Sequence, residues 1–329
     1  MLKNLVKSDK IFPVRRESLS IQDIFLKYGL YIAIGIIFLS FSLLNDHFCT
    51  LNNMKNVVDQ SSYYLVCAMG VTFVLISGAN DMSVGAQVAF SSVVGALYLQ
   101  SFRNIPVSIG IMIVLGIIIG LANGLFVVII GLPPFIGTIS TGYVVRGIVA
   151  YTTKQFSVTG LPSAYTAFAW GEFLGLSNCT WVGIMIVLLS VYILNFTSYG
   201  RKLYACGGNR VAANVMGINT TAMKISAYVI AGITSAFSAM LLMSRQGMAN
   251  SGTGELLHMD CIAAAVIGGT SLSGGHGNIL GTVVGVFFIS MVKSGLNALG
   301  LNAFWQMVFT GGILIFAAVL DSVKSRNNA

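Results

Sequence analysis

The chain contains 329 residues, of which 56% are hydrophobic and only 9% are charged. Soluble globular domains usually carry about 25% charged residues, so this composition excludes an ordinary soluble domain and indicates a polytopic membrane protein. The formal net charge of +8 does not indicate a nucleic-acid partner, because the basic residues are scattered over three regions and form no patch. The five cysteines have no paired spacing, which argues against a metal site or a disulfide framework.

Ten apolar segments follow one another along the chain, and each is long enough, or nearly so, to cross a bilayer as a helix. They are Tyr28–Leu44, Val57–Ser77, Val84–Ser101, Val107–Ile130, Phe135–Tyr151, Trp181–Phe196, Ile225–Met243, Cys261–Leu272, Ile279–Leu296 and Ala303–Leu320. The sequence therefore predicts an all-α membrane domain over residues 28–320. It is preceded by a polar N-terminal arm (1–27) and followed by a short tail (321–329). No small-residue cleavage site follows the first apolar segment, so we predict no removable signal peptide.

Lys and Arg are distributed unevenly between the two sides of this predicted membrane domain. Twelve of the eighteen lie in the N-terminal arm, in the tail and in residues 198–224, which we call the central loop. Only four lie in loops on the other side. Cytoplasmic loops carry the excess of basic residues in membrane proteins, so both termini and the central loop are predicted to be cytoplasmic.

The predicted spans also divide into two blocks of nearly equal length, residues 57–152 and 223–320. An odd number of spans separates the starts of the blocks, so they would insert with opposite orientation. Inverted repeats of this kind are common in transporters, where the substrate pathway lies at the repeat interface. The sequence thus predicts about ten transmembrane helices arranged as two inverted pseudo-repeats.

The central loop, SYGRKLYACGGNRVAANVMGINTTAMK, is basic and contains no acidic residue. Gly207 and Gly208 are predicted to break the chain, and Asn209 to cap a short helix, Arg210–Met216, that stops at Gly217. Such a helix suits docking onto another protein. The alternative is a loop that only sets membrane topology.

The segment SGANDMSVG, residues 77–85, interrupts an otherwise apolar hairpin. Asp81 would then lie within the membrane thickness, where ionisable side chains usually face a cavity, a pathway or a partner charge. The alternative is a tight cytoplasmic turn in which Asp81 caps the next helix through the amide of Val84. The sequence leaves both interpretations open.

Two basic residues fall inside predicted spans. Arg146 is expected either to pair with a charge such as Asp81 or to snorkel to the outer surface, and Lys293 is expected to snorkel. The glycine-rich run Gly268–Asn278 resembles a phosphate loop only superficially, because no Gly-Lys dipeptide occurs in the chain. Close helix packing and a tight turn are the preferred interpretation of this run, and His258 and His276 are given structural or surface roles.

Four motifs, in order, resemble a known family. SGANDMSVG resembles the SGGIDLSVG signature of sugar-importer permeases of the ribose, xylose and galactoside type. GLPPFIGTISTGYVVRG, GRKLYACGGNRVAANVMGIN and IAAAVIGGTSLSGGHGNILGT resemble their other three conserved segments. The resemblance covers residues 57 to 320. Ala79, Asn80 and Met82 depart from the glycine, isoleucine and leucine of the signature, which leaves the sugar open.

The resemblance implies a permease subunit of an ATP-binding-cassette (ABC) importer in a bacterial inner membrane. Its partners would be a separate ATPase, an extracytoplasmic solute-binding protein, a second permease copy (identical or related) and membrane lipid. It implies no catalytic residue, metal or cofactor in this chain. The residues expected to couple to the ATPase are Gly200, Arg201, Tyr204, Ala205, Gly207, Gly208, Asn209 and Gly217. Those expected to line the substrate pathway are Asn80, Asp81, Ser83, Phe135 and Thr138.

Two other classes of protein compete with this interpretation. An ion-coupled secondary transporter usually carries several intramembrane carboxylates, whereas Asp81 is the main candidate here, with Asp260 at the edge of a span. An intramembrane enzyme would need paired acids, a Ser/His pair or metal-ligand spacing, and the sequence shows none of these.

Overall fold

The computed structural model describes residues 21–327, and in this part the regular secondary structure is helical apart from one short hairpin. The helices are α1 (Ile21–Leu44), α2 (Leu51–Ile76), α3 (Val84–Phe102), α4 (Ile105–Gly124), α5 (Pro134–Thr153), α6 (Ser163–Trp170), α7 (Asn178–Phe196), α8 (Ser198–Gly208), α9 (Arg210–Val215), α10 (Thr220–Gln246), α11 (Leu257–Ile267), α12 (Ile279–Ala298) and α13 (Ala303–Asn327). A π-helical turn (Leu125–Ile129) extends α4, and β1 (Glu172–Phe173) pairs antiparallel with β2 (Leu176–Ser177). Residues 1–20 of the predicted arm and the last two residues of the predicted tail lie outside the described residues.

Each of the ten predicted apolar segments overlaps one helix, so the all-α prediction is confirmed. Four helices in the described part of the chain are long and apolar enough to cross a membrane: α4 with its π turn, α7, α10 and α12. The apolar parts of α1, α11 and α13 are shorter. Helices α2 and α3 carry polar side chains, and those of Ser61, Thr72 and Gln87 are buried inside the protein. The count of ten spans stays a prediction.

Three features differ from the sequence-based expectation. Helix α11 ends at Ile267, five residues before the predicted end of its span. The segment that begins at Ser198 is helical: α8 includes Gly207 and ends at Gly208, so the chain leaves the helix after the second glycine, at Asn209. Helix α6 and the β1–β2 hairpin occupy a segment for which no regular structure was predicted.

Helices α2 and α10 form the centre of the bundle. Every residue of α2 from Leu65 to Ile76 is buried. Helix α10 packs against α2, α3 and α4, while α2 packs against α7, α11 and α12 as well as α10. Helix α3 also contacts α5, and α11 contacts α13. In the two predicted blocks, α2 takes the same place in order as α10, and α4 the same place as α12. Helix α2 contacts α12, and α10 contacts α4, so corresponding helices of the two blocks make corresponding contacts.

Glycine permits the closest of these contacts. A Cβ atom added at Gly116 of α4 would lie 2.3 Å from the carbonyl oxygen of Gly232 on α10, and one at Gly232 would lie 2.0 Å from that of Gly116. One turn further along α4, a Cβ at Gly120 would lie 2.4 Å from the oxygen of Tyr228. Small residues let helix backbones approach in this way, and close packing replaces the hydrophobic drive that lipid does not supply.

Non-helical segments interrupt the bundle between α2 and α3 (residues 77–83) and between α10 and α11 (residues 247–256). The second segment begins at Gly247, whose φ of +66° ends α10. A Cβ at Gly85 would lie 2.3 Å from the carbonyl oxygen of Gly254. The first turn of α3, directly after the interruption between α2 and α3, therefore touches the 247–256 segment inside the protein.

Candidate functional site

The interruption between α2 and α3 holds Asp81 in a local turn. The side chain is only 1% exposed. Its Oδ1 accepts hydrogen bonds from the Ser83 amide, at 2.8 Å, and from the Ser83 hydroxyl, at 2.6 Å. The amide that Asp81 binds is therefore that of Ser83, and the predicted cap through the amide of Val84 is wrong by one residue. The left-handed φ of +73° at Gly78 lets the backbone turn here.

The Ser83 hydroxyl is the centre of a buried polar network. Besides donating to Asp81, its Oγ accepts from Gln87 Nε2 and from Asn123 Nδ2, both at 2.7 Å. Gln87 Nε2 also lies 3.3 Å from Asp81 Oδ2. One donated and two accepted bonds use the full capacity of a hydroxyl group. All four side chains are 0% or 1% exposed.

Gln87 and Asn123 were not among the site residues predicted from the sequence. Each is an amide side chain inside an apolar helix, Gln87 on α3 and Asn123 near the end of α4. Burying an amide without a partner costs free energy, so an isolated amide in an apolar helix is the signal that could have identified them.

The first two of the four motifs are in direct contact. Thr138 of α5 is 0% exposed, and its Oγ1 accepts from the Met82 amide at 3.0 Å while donating to the Pro134 carbonyl at 2.8 Å. Tyr228 of α10 donates its hydroxyl to the carbonyl oxygen of Asn80 at 3.0 Å. Asn80, Asp81, Ser83 and Thr138 therefore lie together, whereas Phe135, one turn before Thr138, is 51% exposed on the outer face of α5.

The two basic residues within the predicted spans both bind other parts of the protein. Arg146 does not pair with Asp81, since its Nη1 donates to the carbonyl oxygen of Ser251 in the 247–256 segment. Lys293 does not snorkel. Its Nζ lies 2.5 Å from Oδ2 of Asp260, which is 2% exposed, and 3.1 Å from the Tyr64 hydroxyl. Asp260 thus lies in the first turn of α11, at the predicted edge of its span, and its side chain is buried and paired.

The central loop folds as two short helices, α8 and α9. Asn209 caps α9, because its side chain accepts a hydrogen bond from the Ala212 amide at 2.9 Å. Gly217 follows the helix with a φ of +79°. The predicted capped helix is therefore confirmed, and it ends one residue earlier than predicted, at Val215. We call the side of the bundle that carries these helices the loop end.

Helix α8 is fixed to the loop end of the bundle by its own glycines and by Tyr204. A Cβ at Gly207 would lie 1.8 Å from the carbonyl oxygen of Ile76, the last residue of α2. The Tyr204 hydroxyl donates to the carbonyl oxygen of Gly277 at 2.9 Å. Helix α8 therefore touches both the end of α2 and the glycine-rich 268–278 run. The run serves close backbone packing here, since a Cβ at Gly274 would lie 2.5 Å from Gly78 Cα.

The residues predicted to couple to an ATPase fall into two groups by exposure. Arg201, Gly208, Asn209 and Gly217 are exposed. Gly200, Tyr204, Ala205 and Gly207 are buried or half-buried, and they hold α8 in place. The sequence analysis missed the exposed apolar surface of α9 and the turn after it, which consists of Val211, Val215 and Met216 at 74%, 84% and 67% exposure.

Residues 53–318 match the family described as the permease component of branched-chain amino acid transport systems. The chain belongs to this family of permease components. It is a transport permease rather than an enzyme, and its helices are those of a membrane protein.

Curated relatives of the permease cover nearly its whole length. It is 34% identical to the galactose/methyl galactoside import permease protein MglC of Salmonella typhimurium, over 90% of this chain and 94% of the relative. It is 37% identical to the ribose import permease protein RbsC of Bacillus subtilis, over 91% and 94%. Its identity to RbsC of Escherichia coli is 32%, over 89% and 92%. The resemblance to sugar-importer permeases is confirmed. No solved structure matches the chain.

Proposed function

We propose that this permease forms the membrane pathway of an ABC importer for a neutral monosaccharide. The observation that carries the proposal is its 32–37% identity, over about nine tenths of the chain, to permeases named for galactose and ribose. A separate ATPase supplies the energy. A solute-binding protein delivers the sugar on the extracytoplasmic side. The permease resides in a bacterial inner membrane.

Ten transmembrane helices and two inverted repeats, residues 57–152 and 223–320, belong to the same proposal. The matching helix contacts support it, since α4 packs on α10 as α12 packs on α2, and α3 packs on α5 as α11 packs on α13. In this arrangement the membrane domain covers residues 28–320. The N-terminal arm (1–27), the central loop and the tail (321–329) face the cytoplasm, as the distribution of Lys and Arg indicates.

The sugar pathway passes the polar side chains at the first interruption. Asn80, Asp81, Ser83 and Thr138 lie where the α2–α3 segment meets α5, and Phe135 lies on the neighbouring outer face of α5. Non-helical backbone is tolerated at membrane depth where protein or a wet cavity surrounds it. The Asn80 Oδ1 atom is buried and has no hydrogen-bond partner in the described part of the chain, so it is free to accept from a sugar hydroxyl.

Asn80→Ala tests this pathway with little risk to the fold, because its side-chain oxygen holds no other residue in place. We expect a changed uptake rate or sugar preference at unchanged protein level. Thr138→Ala is the comparison, since it also removes the acceptor for the Met82 amide and should lower stability as well. Wild-type uptake of several sugars by Asn80→Ala would place the pathway elsewhere.

The central loop docks onto the ATPase. Helix α9 presents exposed apolar side chains at Val211 and Val215, Arg210 precedes them at its first position, and Arg201 of α8 is exposed as well. An exposed apolar patch with a basic rim is typical of a protein interaction site. Helix α8 contacts Ile76 and the 268–278 run. A movement of α8 caused by the docked ATPase would therefore be transmitted to the helix interruptions.

Val215→Asp tests the docking surface, because the side chain is 84% exposed and its replacement disturbs little inside the permease. We expect the variant to insert normally, to lose co-purification with the ATPase and to lose uptake. Val215→Leu, which keeps the surface apolar, should behave as the wild type does. Full ATPase binding by the Asp variant would exclude α9 from the interface.

The second partner proposed in the membrane is another permease copy. The outer face of α5 leaves Tyr143 and Val144 at 74% and 63% exposure, and α7 leaves Leu188 at 63%. Within a bilayer these surfaces are covered by lipid and by the second copy, which would complete a pathway between the two subunits.

The matching family's description favours a second candidate substrate, a branched-chain amino acid. Ion-coupled transport is not favoured, because Asp260 is neutralised by Lys293 and Asp81 is held by Ser83 and Gln87. Uptake separates the two substrate classes. The permease, expressed with its ATPase and binding protein in cells lacking other routes, should accumulate labelled D-galactose or D-ribose. Accumulation of L-leucine alone would overturn the sugar proposal.

A further inference from the structure

A cavity of about 340 Å³ opens at the end of the bundle opposite the central loop. It lies between the start of α2 and the ends of α10 and α12, with α6 and α13 at its sides. Its volume falls within the usual range for sites that bind small molecules, about 300–1,000 Å³. Tyr64 on its wall precedes Ile76 by twelve residues, which places the cavity about 18 Å along α2 from the first interruption.

The charged side chains that line the cavity are already neutralised by neighbouring carboxylates. Lys293 Nζ lies 2.5 Å from Asp260 Oδ2, and Arg245 Nη1 lies 3.7 Å from Asp59 Oδ2. Two cations thus face two carboxylates, and the cavity carries no net charge to attract an ion. Arg245 Nη1 is nevertheless buried without a hydrogen-bond acceptor among residues 21–327, so a donor remains for a neutral oxygen.

Amide side chains provide further hydrogen-bonding groups. Gln60 of α2, Gln246 of α10 and Asn297 of α12 line the cavity. Asn297 Oδ1 accepts from Gln306 Nε2 at 2.7 Å, which leaves the Asn297 amide group free to donate. Amide side chains both donate and accept, and hydroxyl groups need both.

Aromatic rings form the remaining wall. The ring centroids of Tyr63 and Tyr64 are 4.4 Å apart. The guanidinium of Arg245 lies over the Trp170 ring, 5.3 Å from its centroid. A sugar ring presents C–H groups on its faces and hydroxyls at its edge. Aromatic rings suit the faces, and amides and the guanidinium suit the edge.

We propose that this cavity is a binding subsite for a neutral monosaccharide within each permease subunit, at the mouth opposite the docking loop. The proposal rests on the function proposed above and adds the residues that receive the sugar. Gln60, Gln246, Asn297 and Arg245 bind hydroxyls, and Trp170 with the two tyrosines contacts the ring. A site of this kind holds the sugar weakly, because it must also release it.

Tryptophan fluorescence tests the subsite directly. The full-length chain with Trp181→Phe and Trp305→Phe, reconstituted in lipid nanodiscs, keeps Trp170 as its single tryptophan. We expect a saturable change in emission with D-galactose or D-ribose. Asn297→Leu and Gln246→Leu in this background should each weaken the apparent affinity about ten-fold, the effect of roughly 1.4 kcal/mol. Gln100→Leu, an exposed glutamine at the end of α3, is the matched control and should leave affinity unchanged.

Two further measurements keep the proposal open to refutation. The KM of uptake should rise in Gln246→Leu and Asn297→Leu cells, while the amount of inserted permease stays constant. Unchanged KM in both variants, or an unresponsive Trp170 in a permease that imports sugar, would overturn the subsite alone. So would tighter binding of D-galacturonate than of D-galactose, since that would make the cavity an anion site. Failure of the wild-type chain to import any sugar would instead sink the proposed function, whatever Trp170 reports.

Discussion

At the scale of single residues, several buried polar side chains inside the bundle bind partners from other helices. Ser83 joins Asp81 to amides from α3 and α4, and Lys293 of α12 binds Asp260 of α11. Buried polar groups cost free energy unless they are hydrogen-bonded, so each of these contacts also fixes how two helices align. The same residues therefore serve stability and the geometry of the interior.

The ion pair between Lys293 and Asp260 gives the sharpest prediction at this scale. Lys293→Met leaves the buried Asp260 carboxylate without its cation and should destabilise the fold by about 3–5 kcal/mol. Adding Asp260→Asn removes the unpaired charge and should restore much of that loss. Thermal unfolding in detergent provides the measurement.

Lys55→Met is the matched control, because the Lys55–Glu172 pair is exposed, with side chains 43% and 57% accessible. Exposed pairs contribute about 0–1 kcal/mol, so this variant should melt close to the wild type. A Lys293→Met protein as stable as Lys55→Met would show that the buried pair contributes nothing to the fold.

At the scale of elements, the central helices are held together by close backbone contact. Helix α4 contacts α10 at Gly116 and Gly232. The backbone of each glycine occupies the space that a side chain on the other glycine would need. Helix α12 meets α11 in the same way, since a Cβ at Gly285 would lie 2.0 Å from the Ala264 carbonyl oxygen. Both contacts place glycine where the helices cross most closely.

Two alanine variants on the same helix separate packing from helix propensity. Gly116→Ala would place its methyl group 2.3 Å from the Gly232 oxygen, so α4 must move away from α10, at a cost of about 1–3 kcal/mol. Gly110→Ala meets no atom within 4 Å and should be neutral or stabilising. Thermal unfolding of the two proteins tests the difference. Equal melting temperatures would mean that this helix pair tolerates separation.

At the loop end, two adjacent glycines give a similar contrast. Gly207→Ala would drive its methyl group into the Ile76 carbonyl oxygen, whereas the nearest atom to a methyl group at Gly208 lies at 3.8 Å. We expect Gly207→Ala to reduce sugar uptake and the stimulation of ATP hydrolysis, and Gly208→Ala to retain both. Assays in membrane vesicles with equal amounts of inserted permease make the comparison. Equal activity in both variants would remove the α8–α2 contact from the coupling route.

At the scale of the whole molecule, the bundle has two chemically different ends. One end carries the central loop with its exposed arginines and α9, and the other carries the cavity, α6 and the β1–β2 hairpin. Docking of an ATPase at the first end and delivery of sugar at the second require that these ends face opposite sides of the membrane.

The native cysteines test this orientation. Cys49, just before α2, is exposed, and the other four cysteines are buried. Cys206 lies at the loop end, where burial raises the pKa of its thiol although Lys224 and Arg210 act in the opposite direction. The raised pKa keeps the thiol protonated and unreactive near neutral pH. In intact cells, an impermeant maleimide should therefore label the permease at Cys49 alone. The Cys49→Ser permease should not be labelled.

A cysteine introduced at Val211 in the Cys49→Ser background completes the test. It should react only after the membrane is opened, because α9 faces the cytoplasm in the proposed orientation. Labelling of the Val211→Cys protein in intact cells would reverse the assignment of both ends.

The sequence by itself determined the helical character of the chain, the order of its helices and its family. Long apolar runs can satisfy their backbone in lipid only as helices, and Gly78 and Pro134 stand where those helices break or begin. Asn209 and Gly217 marked the ends of α9 because caps depend on residues only a few positions away. The four motifs identified the family without any structure.

Only the tertiary structure decided which polar groups meet. Asn123 reaches Ser83, Arg146 reaches Ser251, and Lys293 binds Asp260, each across a gap in sequence that helix packing closes. The cavity likewise draws its walls from five separate helices. Local propensity carries no information on such contacts, because they depend on how far each helix approaches, rotates and shifts against its neighbours.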